Sequence, residues 1–166
     1  MLMNQQWLLP WMNNIVRLYT CPIPAGQPED YVERANWPWW KAKKWSIQVF
    51  ARMFSNYAQP QDPDVPEQVR FSHQFMTMYA CKILEAVLAV LSTVSGGKGY
   101  LPERVKTLSL QYLSNGIRLA MTYKAMKTHL QDLMRHIIFP IMCFNEQDRI
   151  LWENDPQEYI RKEYGT

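Results

Sequence analysis

The 166-residue chain has little of what builds sheets, disulfide frameworks or membrane spans. It holds three cysteines, Cys21, Cys81 and Cys143, far apart in sequence and each among apolar neighbours. An odd, scattered set excludes a disulfide framework and fits a reducing compartment. No stretch alternates apolar and polar residues as a half-buried strand does. The longest apolar run, Ala86 to Leu91, is far too short to cross a bilayer, so no membrane insertion is expected. The N-terminus does not read as a signal peptide, because Asn4, Gln5 and Gln6 precede a short apolar run broken by Pro10. A net charge of +3 is too small to imply nucleic acid.

Chemical motifs are missing as well. No Cys-x-x-Cys and no Gly-x-Ser-x-Gly occurs. His73, His129 and His136 are scattered, and the last two stand seven apart, not the four that suits a zinc pair. Ser95-Gly96-Gly97-Lys98-Gly99 lacks the spacing of a phosphate-binding loop and follows no strand. Asp62 and Asp64 read as carboxylates of a solvated turn. Lys41, Lys43 and Lys44 stand among tryptophans, an arrangement that suits stacking on single-stranded nucleic acid. A wet helix face with the rings buried behind it is the simpler reading. No catalytic residue, cofactor or metal is expected, and the chain does not read as an enzyme.

What is present is apolar and helical. Hydrophobic residues make up 48% and charged residues 20%, so the chain has enough apolar material for one ordinary domain. Ten methionines and seven tryptophans suit wide, irregular helix interfaces. Charge is uneven: net +6 over residues 1–144 and −3 over 145–166. Solvated faces explain this, and it also suits a charged protein partner.

Spacing predicts helices at about 3–19, 38–58, 67–94, 102–123, 126–139, 146–153 and 156–164. In the first, Trp7, Leu8, Trp11, Ile15, Leu18 and Tyr19 form the apolar face, and Pro10 is expected to kink it or delay its start. A proline-rich loop spans 21–30. The helix from Pro38 is the clearest, with Asn36 as a nearby cap and Pro38 in its first turn. Ala42, Trp45, Val49 and Met53 form one inward row and Ile47, Phe50, Phe54 and Tyr57 the next. Lys41, Lys44, Gln48, Arg52 and Ser55 are outward. Over 102–123, Val105, Leu108, Leu110, Tyr112, Leu113, Ile117 and Met121 face inward, and a break is expected near 123–126. In the following helix Leu130, Leu133, Met134, Ile137 and Ile138 face inward. Asn145 and Asp155 are expected caps, with Glu158 at the capping-box position. The fold class is all-α: antiparallel helical hairpins stacked into an α-solenoid, with a compact bundle as the structural alternative. The first helix has no earlier partner for its apolar face and the last stops in mid-pattern, so 1–166 reads as a single fragment of a longer helical array.

Four stretches carry a resemblance. Asn36-Trp-Pro-Trp-Trp-Lys-Ala-Lys-Lys-Trp45 holds four of the seven tryptophans within nine residues. Leu108-Ser-Leu-Gln-Tyr-Leu-Ser-Asn-Gly116, Ile137-Ile-Phe-Pro-Ile-Met-Cys-Phe144 and Leu151-Trp-Glu-Asn-Asp-Pro-Gln-Glu-Tyr-Ile-Arg161 follow it in order. Together they resemble the importin-7/importin-8 branch of the importin-beta superfamily, from about Trp7 to Tyr164, in the N-terminal half of such receptors. The last stretch also resembles an Asp-Pro-x-Glu-Tyr element of the export receptor for importin-alpha.

The resemblance implies a HEAT-repeat nuclear transport receptor, with cargo proteins, the GTPase Ran and Phe-Gly nucleoporins as partners of the whole protein. It also implies shuttling between nucleus and cytoplasm through the nuclear pore. An unrelated helical-repeat scaffold for protein–protein interaction is the alternative function. The resemblance assigns no chemical role to any residue here. It does imply apolar grooves between outer helices for Phe-Gly repeats, and the helices at 38–58 and 102–122 are the expected place for one.

Overall fold

A computed structural model describes residues 5–94, 99–144 and 146–164. Among them every regular element is helical. Helix α1 is Gln5–Thr20, α2 is Tyr31–Asn36 and α3 is Pro38–Tyr57. Helix α4 runs through Pro66–Ser92, with a π turn at Met76–Ala80. Helix α5 is Glu103–Gly116. Residues 120–142 form a broken helix, α6, in which α, 3₁₀ and π turns alternate. Helices α7, Glu146–Asn154, and α8, Pro156–Tyr164, pair with each other. The architecture is the all-α helical repeat: α3 packs between α1 and α5, and α4 lies against α1, α5 and the start of α6.

The sequence explains most of these ends. Asp30 caps α2 by accepting from the Glu33 N–H at 2.8 Å. Asp155 does the same for α8, accepting from the Glu158 N–H at 3.0 Å, while the Glu158 carboxylate pairs with Arg161. Asn145 lies outside the described residues. Asn36 is not a cap: its amide donates to the Val32 carbonyl within α2, and Trp37, with extended backbone, occupies the cap position of α3. Pro38 fills the first turn of α3, where its missing N–H costs nothing. Pro10 is accommodated inside α1, which neither starts late nor ends there.

Two breaks fall elsewhere than expected. The helix from 103 stops at Gly116, and Leu119 is extended before Ala120 restarts it, so the break lies at 117–119 and not at 123–126. Asn115-Gly116 is a helix-ending pair, and the buried Thr122 hydroxyl donates to the Gly116 carbonyl across the break. Once the chain turns here, Ile117 and Met121 lose the inward register and are 43% and 38% exposed. The π turn at Met76–Ala80 adds a residue to one turn of α4.

Several apolar rows match the expected ones only in part. In α1 the buried row is Leu8, Met12, Ile15 and Tyr19, while Trp7, Trp11 and Leu18 are exposed. In α3 the expected row of Ile47, Phe50 and Phe54 is buried and extends back to Lys43 and Trp40; of the other expected row Met53 is buried, but Trp45 is 58% exposed. In α6, Leu133 and Ile137 are buried, but Met134 is exposed. Helix α4 is, by length and a mean hydropathy of 1.6, apolar enough to cross a membrane, which its six-residue apolar run did not suggest. Its apolar window is 56% buried inside the protein, so α4 serves as a core helix.

Aromatic rings link the layers edge to face. Tyr19 of α1 meets Phe50 of α3 at 6.1 Å between centroids. Phe54 meets Phe75 of α4 at 6.4 Å and Tyr112 of α5 at 4.9 Å. Both tyrosines also close hydrogen bonds. Tyr112 Oη donates to the Ala80 carbonyl, at the end of the π turn, at 3.1 Å. Tyr19 Oη lies 2.7 Å from Ser109 Oγ, which also bonds the Val105 carbonyl of α5.

Tyr112→Phe keeps the ring and leaves a buried carbonyl without its partner. The expected loss, read from urea unfolding of the chain, is about 1–3 kcal/mol. Burial raises both phenols well above their usual range, with Ser109 opposing this at Tyr19 and Cys81 adding to it at Tyr112. Below pH 10 each phenol is protonated in both states, and its contribution is fully present. Above pH 10 the unfolded chain ionises first, so stability falls as pH rises. The urea midpoint is expected to drop between pH 9 and pH 11, and less steeply in Tyr112→Phe. Apolar residues also stand exposed at both ends of the array, Trp7 and Trp11 on α1 and Met134, Phe139, Met142 and Phe144 around the end of α6. Residues 1–166 alone are expected to self-associate in sedimentation velocity, and Trp7→Lys with Met142→Lys to reduce this.

Candidate functional site

The tryptophan stretch divides between surface and interior. Trp40 is buried, Trp37 is half-buried, and Trp39 and Trp45 are exposed, with the Lys44 ammonium 5.2 Å from the Trp45 ring centroid. The rings are therefore not uniformly buried behind a wet face. The lysines divide too. Lys41 is exposed, while Lys43 is only 5% exposed, because it lies three residues after Trp40 and four before Ile47 on the buried row. That spacing was readable by extending the Ile47, Phe50, Phe54 row backward.

Lys43 is built into the junction of α1 and α3. Its ammonium donates to the Tyr19 carbonyl, in the last turn of α1, where a cation complements the helix dipole. It also stands 5.9 Å from the Tyr19 ring centroid. Burial lowers its affinity for a proton, and Cys21 nearby acts in the opposite direction.

A second cluster covers the far side of Trp40. The Tyr100 ring meets Trp40 at 5.6 Å and Tyr31 at 6.1 Å, and the Arg34 guanidinium stands 5.0 Å from its centroid. Arg34 Nε also donates to the Pro28 carbonyl at 2.7 Å, which ties the proline loop to α2. Gly99 has φ +91°, and a Cβ there would fall 2.6 Å from the Thr93 carbonyl oxygen, so glycine is required. The rest of the glycine run, 95–98, lies outside the described residues. Between these groups is a cleft of about 370 Å³, walled by Thr20, Ile23, Gln27, Val90 and Leu101 as well as Trp40, Lys43 and Tyr100.

The expected groove between the helices at 38–58 and 102–122 is a furrow of about 210 Å³ between α3 and α5. Ala51 and Leu108 form its apolar floor, and Gln48, Arg52, Ser55, Asn56 and Gln111 its rim. Phe50, Met53 and Phe54 are buried in the core instead. The furrow thus lacks the apolar opening that a phenylalanine needs.

The remaining sequence candidates stay apart. His73 is on α4, and His129 and His136 are about two turns apart on α6, all exposed. No group of histidine, cysteine and carboxylate side chains suited to a metal occurs among the described residues. Asp62 shapes its own turn, accepting from the Asp64 N–H at 2.9 Å.

No family model matches the chain, and no solved structure does either. Curated proteins do match. An importin beta-like SAD2 homolog of Arabidopsis thaliana is 43% identical over 93% of this chain and 15% of its own length. Importin-8 of Homo sapiens is 34% identical over 98% of this chain and 16% of its own. A probable importin-7 homolog of Dictyostelium discoideum is 30% identical over 94% of this chain and 15% of its own. The chain thus spans about a sixth of the curated relatives it matches. Aligned almost end to end with these proteins and helical in every described element, the chain belongs to the importin-beta superfamily, in its importin-7/importin-8 branch.

Proposed function

We propose that the protein containing this chain is a nuclear transport receptor, which carries protein cargo into the nucleus through the nuclear pore under the control of Ran. The observation that carries this reading is the 34% identity to importin-8 over 98% of the chain. Physical features support it. A helical array offers a large surface whose small inter-helix rotations accommodate varied partners. In this reading the receptor binds and the GTPase partner does the chemistry. The same similarity removes the alternative of an unrelated helical scaffold. Cargo proteins, Ran and Phe-Gly nucleoporins are the proposed partners of the whole protein, and nucleus, cytoplasm and pore its proposed locations. The polar rim of the α3–α5 furrow speaks against that furrow as a Phe-Gly dock.

The test uses the full-length protein. Immobilised receptor is expected to retain Ran loaded with a non-hydrolysable GTP analogue far better than Ran loaded with GDP. Equal retention of the two forms, or none, would sink the Ran-regulated reading.

A further inference from the structure

Buried polar atoms without a partner are rare in folded proteins, and each one calls for an explanation. Among the described residues four side-chain atoms are closed to solvent and unpartnered: Gln27 Oε1, Trp40 Nε1, Tyr79 Oη and Tyr100 Oη. Three of these four, all but Tyr79, belong to residues that wall the cleft of about 370 Å³ beside α3. They come from a loop, a helix and a separate turn.

The same cleft contains a charge without a counter-charge. Lys43, 5% exposed, lines it, and among the described residues no carboxylate does. Among the described residues, the group that accepts from its ammonium is the Tyr19 carbonyl. A buried cation left without an anion is costly. Two of the three orphaned atoms at the cleft can donate, and the third, Gln27 Oε1, accepts. Trp40 Nε1 and Tyr100 Oη are donors, and the ammonium has three N–H bonds, of which the Tyr19 carbonyl takes one. The Gln27 amide turns its NH₂ group inward by a half-rotation, which exchanges the positions of its oxygen and nitrogen. The rest of the wall is mixed: Pro22, Ile23, Ala89, Val90 and Leu101 are apolar, while the Thr20 and Thr93 hydroxyls are already donated to backbone carbonyls of their own helices.

We propose that this cleft is a binding site for a carboxylate carried on a short apolar stem, held by Lys43, Trp40, Tyr100 and the turned amide of Gln27. The carboxylate supplies the missing counter-charge and accepts from the orphaned donors. The volume is at the lower end of ligand sites, enough for one or two side chains of an extended peptide or for a small organic acid. The orphaned atoms are closed to solvent, so an occupant meets them only after the side chains around them rotate. Gln27 and Tyr100 are only partly buried as residues, and side-chain rotation brings their polar ends to the cleft. The apolar part of the wall lowers the local dielectric and strengthens the charge–charge attraction. Helices α1, α3 and α4 and the turn before α5 all contribute to the cleft, so an occupant also clamps them together.

The experiment is calorimetric titration of the full-length protein with three probes: the peptide acetyl-Ala-Leu-Glu-Leu-Ala-amide, its Gln counterpart, and butyrate. The Glu peptide is expected to bind at least about tenfold more tightly than the Gln peptide, since charged hydrogen bonds are the stronger ones. Tyr100→Phe removes one donor and keeps the ring, while Trp40→Phe removes one donor and replaces the indole by a smaller ring, and each is expected to weaken the Glu peptide by about threefold to tenfold. Lys43→Met is expected to abolish the preference for Glu over Gln. Butyrate binding as tightly as the peptide supports the site and assigns it to a free acid, while binding of the peptide alone assigns it to a protein segment. No binding of either carboxylate, or equal affinity for the Glu and Gln peptides, overturns the proposal. So does an unchanged affinity in Trp40→Phe and Tyr100→Phe proteins whose melting temperatures match the parent. None of these outcomes depends on Ran or on transport.

Discussion

Tyr112 joins three helices at one point, and the rest of the array is arranged around that junction. Its ring lies edge-on to Phe54 of α3, and its hydroxyl reaches the Ala80 carbonyl at the end of the π turn of α4. An unpaired hydroxyl or carbonyl in this core is costly, so the bond fixes which face of α5 can meet α4. One turn earlier on α5, Ser109 meets Tyr19 from α1. Two polar contacts thus set the register of an otherwise apolar, non-directional interface. That matters in a helical array, because each helix pair has only its neighbours to align it.

A second constraint acts at the other end of α3. Lys43 is drawn inward by the register of Trp40, Ile47 and Phe50, and it meets the end of α1 through the Tyr19 carbonyl. Tyr19 is therefore shared: its carbonyl holds α3, its ring packs on Phe50, and its hydroxyl holds α5. Small changes at this residue reach all three helices. The cleft beside Lys43 and Trp40 lies at the same junction, where a ligand would act on the packing of α1, α3 and α4 together.

The helical class and the long helix from Pro38 were readable in the sequence because their apolar spacing is regular and prolines mark their starts. The facing of individual aromatic residues was not. Trp7, Trp11 and Trp45 were assigned inward together with Leu8 and Ile47, yet only the latter two are buried, in rows that also take in the unassigned Met12 and Lys43. A half-apolar helix offers two adjacent rows, and only the packing partner chooses between them. The π turns of α4 and α6 left no recognisable signal, since they insert a residue into a continuous helix. The break after Gly116 did leave one, in Asn115-Gly116. The cleft was invisible because it depends on Gln27, Trp40 and Tyr100 meeting from distant parts of the chain.

Movement across the nuclear envelope tests the account most directly. The full-length protein, carrying a fluorescent tag at its C-terminus, is bleached in the nucleus of a living cell while the cytoplasmic pool is left intact. A transport receptor is expected to refill the bleached nucleus within minutes, with part of the protein concentrated at the nuclear rim. Lasting exclusion from the nucleus, or a bleached nucleus that does not recover, would contradict the account.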